Sequence, residues 1–194
     1  MYQIANFLVF GGNRRLPLQI KSKFIWPAEG VICQSSQISD IAQIEIKGEK
    51  RNITTIFNLQ QDQIPQDYYF TNIFLHNKNY HHIHAPIAGK ILCIQRIPGK
   101  LNLLRPWFYP NTPSYPALVN ERVNIKIEGE QEKNWMLSIV GGPLVGTIKL
   151  PNHLSKGSRI SIGEKLASFE MGSTCCLISP LDLNGMVGQH TKLQ

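Results

Sequence analysis

Short runs rich in isoleucine and valine, separated by glycine and proline, constrain the fold of this chain more than any other feature. Many runs alternate apolar with polar residues, a period of two that is typical of half-buried β-strands. The pattern therefore predicts a mainly β (α+β) protein, a single compact sandwich-like or barrel-like domain of short strands with glycine and proline turns and few helices. The runs are FIWPAEGVICQ, IAQIEIKG, ITTIFNL, HIHAPIAGKILCIQRI, VNIKIEGE, WMLSIVGG, VGTIKL, RISIG and KLASFEM.

Three segments break this regularity in different ways. The polar stretch 64–79 is the best candidate for a helix. WPAEGVI, APIAGKI and SPLDLNGMV are interpreted as similar glycine corners that lead into strands. Residues 103–123 hold four prolines and four aromatic residues. Because long proline-rich loops in compact domains are usually functional or mobile, this one is expected to line a pocket or contact a surface.

The length of the chain and its net charge limit the number of domains and the classes of partner that are expected. The 194 residues fit one domain, and 20 basic against 13 acidic residues give a net charge of +7. This charge favours anionic partners such as nucleic acid or an acidic membrane surface. Aromatic and basic residues do not interleave into a platform for bases, so nucleic acid is not expected.

The compartment is predicted from cysteines and from the N-terminal order of residues. The four cysteines form no CxxC pair, which favours free thiols in a reducing compartment. No stretch approaches the roughly 18–20 apolar residues of a spanning helix. The apolar IANFLVF precedes Arg14 and Arg15, the reverse of a secretory signal. We therefore expect a cytoplasmic protein, or a peripheral one on the cytoplasmic side of a membrane.

Three polar groups in strand-like contexts could carry chemistry. The segment 79–86 places three histidines within four residues, 169–180 contains Gly-Ser-Thr, and Glu29 lies in WPAEGVI. Each alone is equally a turn or surface feature. The histidines lack the spaced second pair of ligands that zinc sites have, so no metal is assigned. Together, a carboxylate, an imidazole and a hydroxyl are the parts of a nucleophilic triad, because a serine needs a base, and the base needs an orienting group.

The same segments, in order from about Trp26 to Gln189, resemble the phosphatidylserine decarboxylases, a family of pyruvoyl-dependent enzymes. Each segment alone is weak, but the ordered set with Gly-Ser-Thr near the C-terminus is specific. The matching segments are WPAEG, IEIKGEKRNITTIF, YHHIHAPIAGKI, LVNERV, SIVGGPLVGTIKL and KGSRISIGEKLASFEMGST.

The resemblance implies that the chain cleaves itself. Ser173 would attack the carbonyl carbon of Gly172, His84 would take the hydroxyl proton, and Glu29 would orient the His84 ring. Residue 173 would become a covalent pyruvoyl group at the start of an α chain, 173–194. The β chain would be the remainder of the sequence, and the two fragments would stay associated as a heterodimer, with pairing of heterodimers left open.

The resemblance also implies the reaction. Phosphatidylserine would form a Schiff base with the pyruvoyl carbonyl and lose CO₂ to give phosphatidylethanolamine, because the carbanion left behind needs an electron sink. His81 would contact the substrate carboxylate or deliver a proton, and His84 could serve again as an acid. An anionic membrane surface would be the place of reaction.

Departures from the family pattern leave alternatives open. Glu29 stands where the family carries aspartate, His82 where arginine is expected, and Asn79 where aspartate is expected. These differences favour either a pyruvoyl enzyme for a soluble amino acid or another serine-headed lipid, or a module that no longer cleaves and only binds a membrane or partner. The segment 6–24, an apolar patch followed by basic residues, would rest on an anionic bilayer, or it would be an ordinary first strand with a solvated basic loop.

Overall fold

A computed structural model describes residues 22–41, 44–46, 49–60, 63–76, 79–143, 148–169 and 173–193. Most of the segment 6–24, and Gly172, lie outside these ranges. The strands are β1 Gly30–Gln37, β2 Ile44–Ile46, β3 Glu49–Arg51, β4 Tyr69–Leu75, β5 His82–His84, β6 Gly89–Ile97, β7 Arg122–Glu128, β8 Asn134–Gly141, β9 Ile148–Lys149, β10 Arg159–Ile160, β11 Lys165–Phe169, β12 Ser173–Ser179 and β13 His190–Thr191. The helices are α1 Ile38–Ile41 and α2 Tyr115–Val119, with 3-10 turns at Ile53–Phe57, Pro106–Phe108 and Glu130–Glu132.

Eight of these strands form one open antiparallel sheet, in the order β10-β6-β7-β8-β12-β4-β1-β13. Strand β12 lies near its middle, where Ser173 pairs with Leu75 on one side and Gly141 on the other. Every residue of β12 is buried. This explains its nearly continuous apolar sequence, because a strand covered on both faces does not alternate. The strand that begins at Ser173 is therefore held firmly in the protein interior.

A second sheet of three strands, β5-β11-β9, covers one face of the large sheet. The core between the two sheets contains Leu75, Ile83 and Cys175. The opposite face of the large sheet packs on the 3-10 turn Ile53–Phe57 and on α2, around Cys176 and Ile178. Alternation along β12 places Ser173, Cys175 and Leu177 towards the three-stranded sheet.

Two glycine corners position the strands that frame the site. A Cβ on Gly30 would lie 2.4 Å from the Phe74 carbonyl oxygen, and one on Gly89 would lie 2.3 Å from that of Glu128. No side chain fits such close backbone approaches. Gly30 begins β1 and Gly89 begins β6, as the sequence predicts for WPAEGVI and APIAGKI. The prediction for SPLDLNGMV was wrong, because no strand begins within 180–188.

The mainly β prediction is confirmed, but the predicted helix at 64–79 was wrong. Strand β4, Tyr69–Leu75, occupies the middle of that stretch. Its polar residues Thr71 and Asn72 are buried and contact other segments, Asn72 through the Ser114 hydroxyl at 2.9 Å. Polar composition therefore misled the prediction. Among the helices in the described ranges, none has the length and apolar character needed to cross a bilayer.

Candidate active site

Strand β5 brings the histidines of NYHHIHAP into the interior. His81 and His84 are 1% and 4% exposed. The rings of His82 and His84 both lie against the Tyr80 ring, with centroids 4.5 Å and 5.7 Å away. The two rings therefore share one face of the strand, as its alternation predicts. Ile83 points the opposite way, into the core between the sheets.

The His84 ring is fixed by two hydrogen bonds. Its Nδ1 lies 2.7 Å from the Gly163 carbonyl oxygen, and its Nε2 lies 3.3 Å from the Tyr80 hydroxyl. Since a carbonyl only accepts, Nδ1 carries the proton of the neutral ring, and the electron pair of Nε2 accepts from the Tyr80 hydroxyl. Burial lowers the pKa of His84, and the Gly163 carbonyl opposes this shift. The ring is thus a neutral base with Nε2 as its proton-accepting atom.

His81 lies beside the end of β11. Its Nδ1 donates to the Asn79 carbonyl oxygen at 2.6 Å, and its own carbonyl accepts from the Phe169 amide at 3.0 Å. The His81 and Phe169 rings meet edge to face with centroids 6.5 Å apart. Burial lowers the pKa of His81 as well. His81 is therefore neutral and is hydrogen-bonded to β11, the strand that precedes Ser173 in the sequence.

The WPAEG corner is hydrogen-bonded to the same strand. The Pro27 carbonyl accepts from the His84 amide at 2.8 Å, and the Glu29 carbonyl accepts from Asn79 Nδ2 at 3.2 Å. The backbone that carries Glu29 is therefore next to the histidine segment. The proton-bearing Nδ1 of His84, where an orienting carboxylate is expected, faces the Gly163 carbonyl instead. The orienting role of Glu29 stays a prediction.

The Ser173 hydroxyl is fully buried, and within the described ranges it has no hydrogen-bond partner. A buried hydroxyl without a partner costs about 1–3 kcal/mol, so its presence calls for an explanation. Three residues, 170–172, separate Ser173 from Phe169. The two Cα atoms are thus at most about 14 Å apart. The Ser173 Cα therefore lies within about 14 Å of the Cα of Phe169, the residue whose amide is hydrogen-bonded to His81.

The structure thus brings together the backbones that carry Glu29, His81 and His84, whereas the link of three residues only sets an upper limit on their distance from Ser173. The Glu29 corner and β11 are each hydrogen-bonded to the histidine segment, and β12 follows β11 after the short link. No hydrogen bond joins Ser173 to His84 in the part of the chain that the structure describes. The site can supply a neutral base, a buried nucleophile and a second buried imidazole.

A comparison with known families decides the membership. The model of the phosphatidylserine decarboxylase family matches residues 7–194. The chain belongs to the phosphatidylserine decarboxylase family. The resemblance in motifs is thereby confirmed over nearly the whole sequence.

Curated relatives carry the name phosphatidylserine decarboxylase proenzyme. One from Coxiella burnetii is 31% identical over 84% of this chain and 62% of its own length. One from Chromobacterium violaceum is 26% identical over 82% and 63%, and one from Campylobacter jejuni is 27% identical over 98% and 80%. The chain thus spans less than two thirds of the first two of these decarboxylase relatives.

Sequence reasoning missed two partners of His84. Tyr80 stands directly before the histidines, so its place in the motif was a usable signal. The Gly163 carbonyl is a backbone group that every residue type has, so the sequence cannot indicate this contact. His82, the departure from the decarboxylase pattern, is a neutral ring as well, since burial and nearby Lys165 lower its pKa to about 4.

Proposed function

We propose that this chain is a self-processing phosphatidylserine decarboxylase. The observation that carries the proposal is the fully buried Ser173 hydroxyl, which lies at the start of strand β12 and has no hydrogen-bond partner within the described residues. Membership of the family supplies the reaction class. The proposed product is phosphatidylethanolamine, formed with release of CO₂.

In the proposed cleavage, Ser173 Oγ bonds to the Gly172 carbonyl carbon while His84 Nε2 takes the hydroxyl proton. The peptide C–N bond then breaks, and the nitrogen of residue 173 leaves as an amine, so that an ester replaces the peptide bond. Loss of the Cα proton of residue 173 expels the Gly172 carboxylate and leaves dehydroalanine. Its imine tautomer takes up water and releases ammonia, which leaves the pyruvoyl ketone.

Two features support this chemistry. A buried hydroxyl that is not bonded to another group is free to attack, and a histidine with a lowered pKa keeps its electron pair at neutral pH. After cleavage, β12 would remain paired with β4 and β8 along its length. We therefore expect the β chain 1–172 and the α chain 173–194 to stay together as a heterodimer.

The pyruvoyl ketone, once bound to an amino substrate, supplies the electron sink that decarboxylation requires. The protein's own part is to position the substrate, exclude water and move protons. His81 is proposed to contact the substrate carboxylate or to protonate the carbon that loses CO₂. It is buried next to Phe169, four residues before the position of the ketone. The orienting role of Glu29 on His84 belongs to the same proposal.

The proposed location is the cytoplasmic face of a membrane, with an anionic surface as partner. All four cysteines are free, and Cys175 and Cys176 are buried, as expected for a reducing compartment. The net charge of +7 favours an anionic lipid surface.

The test is a decarboxylation assay on three samples: phosphatidylserine vesicles, free serine, and phosphatidylcholine vesicles without substrate. Released CO₂ and the lipid product are measured together. We expect CO₂ and phosphatidylethanolamine from the first sample only, and neither from the Ser173→Ala variant.

Other results would redirect the proposal. Release of CO₂ from free serine at a rate equal to that from vesicles would contradict a lipid substrate and favour a soluble amino acid. Cleaved protein that releases no CO₂ from either substrate would contradict the proposed reaction, and an uncleaved chain that still sediments with vesicles would favour a binding module.

A further inference from the structure

The proline-rich segment identified in the sequence ends in an exposed aromatic surface. We define the aromatic loop as residues 103–109. Trp107 and Phe108 are each 54% exposed and Leu103 is 49% exposed. Large apolar side chains exposed next to one another are uncommon on soluble proteins and mark interaction sites.

The aromatic loop is built rigidly. The Asn102 amide donates to Asn120 Oδ1 at 3.1 Å, and Asn120 Nδ2 donates back to the Asn102 carbonyl at 2.9 Å. Inside the loop, the Phe108 amide donates to the Arg105 carbonyl at 3.1 Å. Pro106 restricts the backbone further. The exposed rings are therefore held in place before any partner arrives, which lowers the entropy lost on binding.

The charge of this segment has one sign. From Gly99 to Asn120 the charged residues are Lys100 and Arg105, both basic. The Arg105 guanidinium carbon lies 5.5 Å from the centre of the Trp107 ring. A cation stacked on an indole, beside an exposed phenyl ring, suits the boundary between lipid headgroups and acyl chains.

The aromatic loop lies at the reactive end of the sheet. The Trp107 ring meets the Phe74 ring edge to face, with centroids 5.8 Å apart. Phe74 pairs across the sheet with Thr174, the neighbour of Ser173. Trp107 is therefore one side chain away from the strand pair that carries the proposed cleavage site, on the face of the sheet opposite to the Ser173 side chain.

We propose that the aromatic loop is a docking surface for an anionic phospholipid bilayer. Trp107 and Phe108 would enter the interface while Arg105 and Lys100 meet the lipid phosphates. Binding there would bring the Ser173 end of β12 towards the membrane. Only this last consequence rests on the proposed function, since the docking itself depends on the loop alone.

The experiment is sedimentation of the full chain with phosphatidylcholine vesicles, with and without phosphatidylglycerol. The Trp107→Ser/Phe108→Ser variant should bind anionic vesicles at least tenfold more weakly, because burying each ring is worth about that factor or more. Arg105→Gln should lose about fivefold on anionic vesicles and little on neutral ones. Leu181→Ser is the matched control: its side chain is 47% exposed beyond the other end of β12, and its binding should not change.

Two additional measurements keep the test decisive. If the double variant has a lower thermal unfolding midpoint than the wild type, Phe108→Ser alone is used in its place. Trp107→Phe keeps the apolar surface, so it should bind vesicles while losing the lipid-induced shift in tryptophan fluorescence.

Wild-type binding by the serine variants would overturn the docking surface. It would also be overturned if removing the rings abolished self-association without lipid and left vesicle binding intact, because the occupant would then be a second copy. Cleavage between residues 172 and 173 and CO₂ release from detergent-dispersed phosphatidylserine are measured on the same samples. If both persist while docking fails, the proposed function stands without the surface, and if docking persists without them, the surface stands alone.

Discussion

Arg122 on one face of the large sheet and Ser173 on the other differ in how their buried polar groups are satisfied. On the face that packs on the 3-10 turn Ile53–Phe57, Arg122 donates to the carbonyls of Ile56, Asn120 and Thr55 at 2.7, 3.0 and 3.2 Å. On the face towards the histidine strand, the surroundings are mainly apolar, and the Ser173 hydroxyl has no partner among the described residues.

The two groups therefore have different roles: Arg122 stabilises the fold, whereas Ser173 is proposed to react. A guanidinium bonded to three carbonyls has little capacity left for a ligand, so the Asn-Glu-Arg segment of the family pattern acts here as a clamp on the turn at 53–57. An unbonded hydroxyl keeps its reactivity. Burial alone is not sufficient to make a hydroxyl reactive. The Ser138 hydroxyl of β8 is also buried without a partner in the described ranges, yet it points to the face that packs on the turn Ile53–Phe57. What distinguishes Ser173 is that, by alternation along β12, it faces the three-stranded sheet that contains β5.

Replacing His84 should give the largest effect. His84→Gln removes the electron pair at Nε2, so we expect self-cleavage to slow by roughly 10³-fold, as for loss of a general base. The measurement is the rate at which full-length chain disappears in a mass spectrum after synthesis. His190→Gln, an exposed histidine on the edge strand β13, is the control and should cleave at the wild-type rate. Equal rates for both variants would remove His84 from the mechanism.

Removing the clamp should affect stability rather than cleavage. Arg122→Met removes the guanidinium from three carbonyls, of which those of Ile56 and Thr55 keep a second donor. Since the variant also loses the buried hydrogen bonds of Arg122, we expect the free energy of unfolding in urea to fall by about 3 kcal/mol. Folded Arg122→Met protein should still cleave. If the folded fraction failed to cleave, Arg122 would be needed for cleavage as well as for stability. The proposed difference in role between Arg122 and Ser173 would then be wrong.

Glu29→Gln should have a smaller effect. The Gly163 carbonyl already holds Nδ1 of His84, so loss of the carboxylate should slow cleavage by about tenfold, or 1.4 kcal/mol in the barrier. Glu29→Asp restores the carboxylate on a shorter side chain and should recover most of the rate. If Glu29→Gln cleaved at the wild-type rate, Glu29 would not orient the His84 ring, and the Gly163 carbonyl and the Tyr80 hydroxyl would be sufficient to do so.

The pH dependence of stability should give the mildest effect. Burial lowers the pKa values of His81, His82 and His84 below the ordinary 6.5. The unfolded chain therefore binds more protons below pH 6.5, and the free energy of unfolding should decrease as the pH falls from there towards about 4, the pKa of His82. Urea unfolding of wild type and His82→Gln across this range checks it: the variant should show a shallower decrease. Identical slopes would mean that His82 is not buried as a neutral ring.

Much of the fold could be predicted because alternation is a local property. The strands at WPAEGVI and APIAGKI begin at the expected glycines, and the shared face of His82 and His84 follows from a period of two. Strand β4 was mistaken for a helix because Asn72 is polar yet buried, and its partner Ser114 lies 42 residues away. No local pattern contains that contact.

The side chains of the candidate site could be proposed from the sequence, whereas the backbone group beside them could not. Glu29, His81, His84 and Ser173 were identified from the ordered motifs, and their roles stay predictions; the structure brings the backbones of the first three together. The Gly163 carbonyl that fixes the His84 ring could have belonged to any residue type, since a main-chain group is common to all of them.

The central claim is that Ser173 converts itself into a ketone by breaking the bond to Gly172. The direct measurement is the intact mass of purified wild type, Ser173→Ala and Ser138→Ala. We predict two fragments, 1–172 and 173–194, for wild type and Ser138→Ala, with the smaller one carrying the mass of an N-terminal pyruvoyl group. Ser173→Ala should stay full length. Full-length wild type under native conditions, or cleavage of Ser173→Ala at this bond, would contradict the claim.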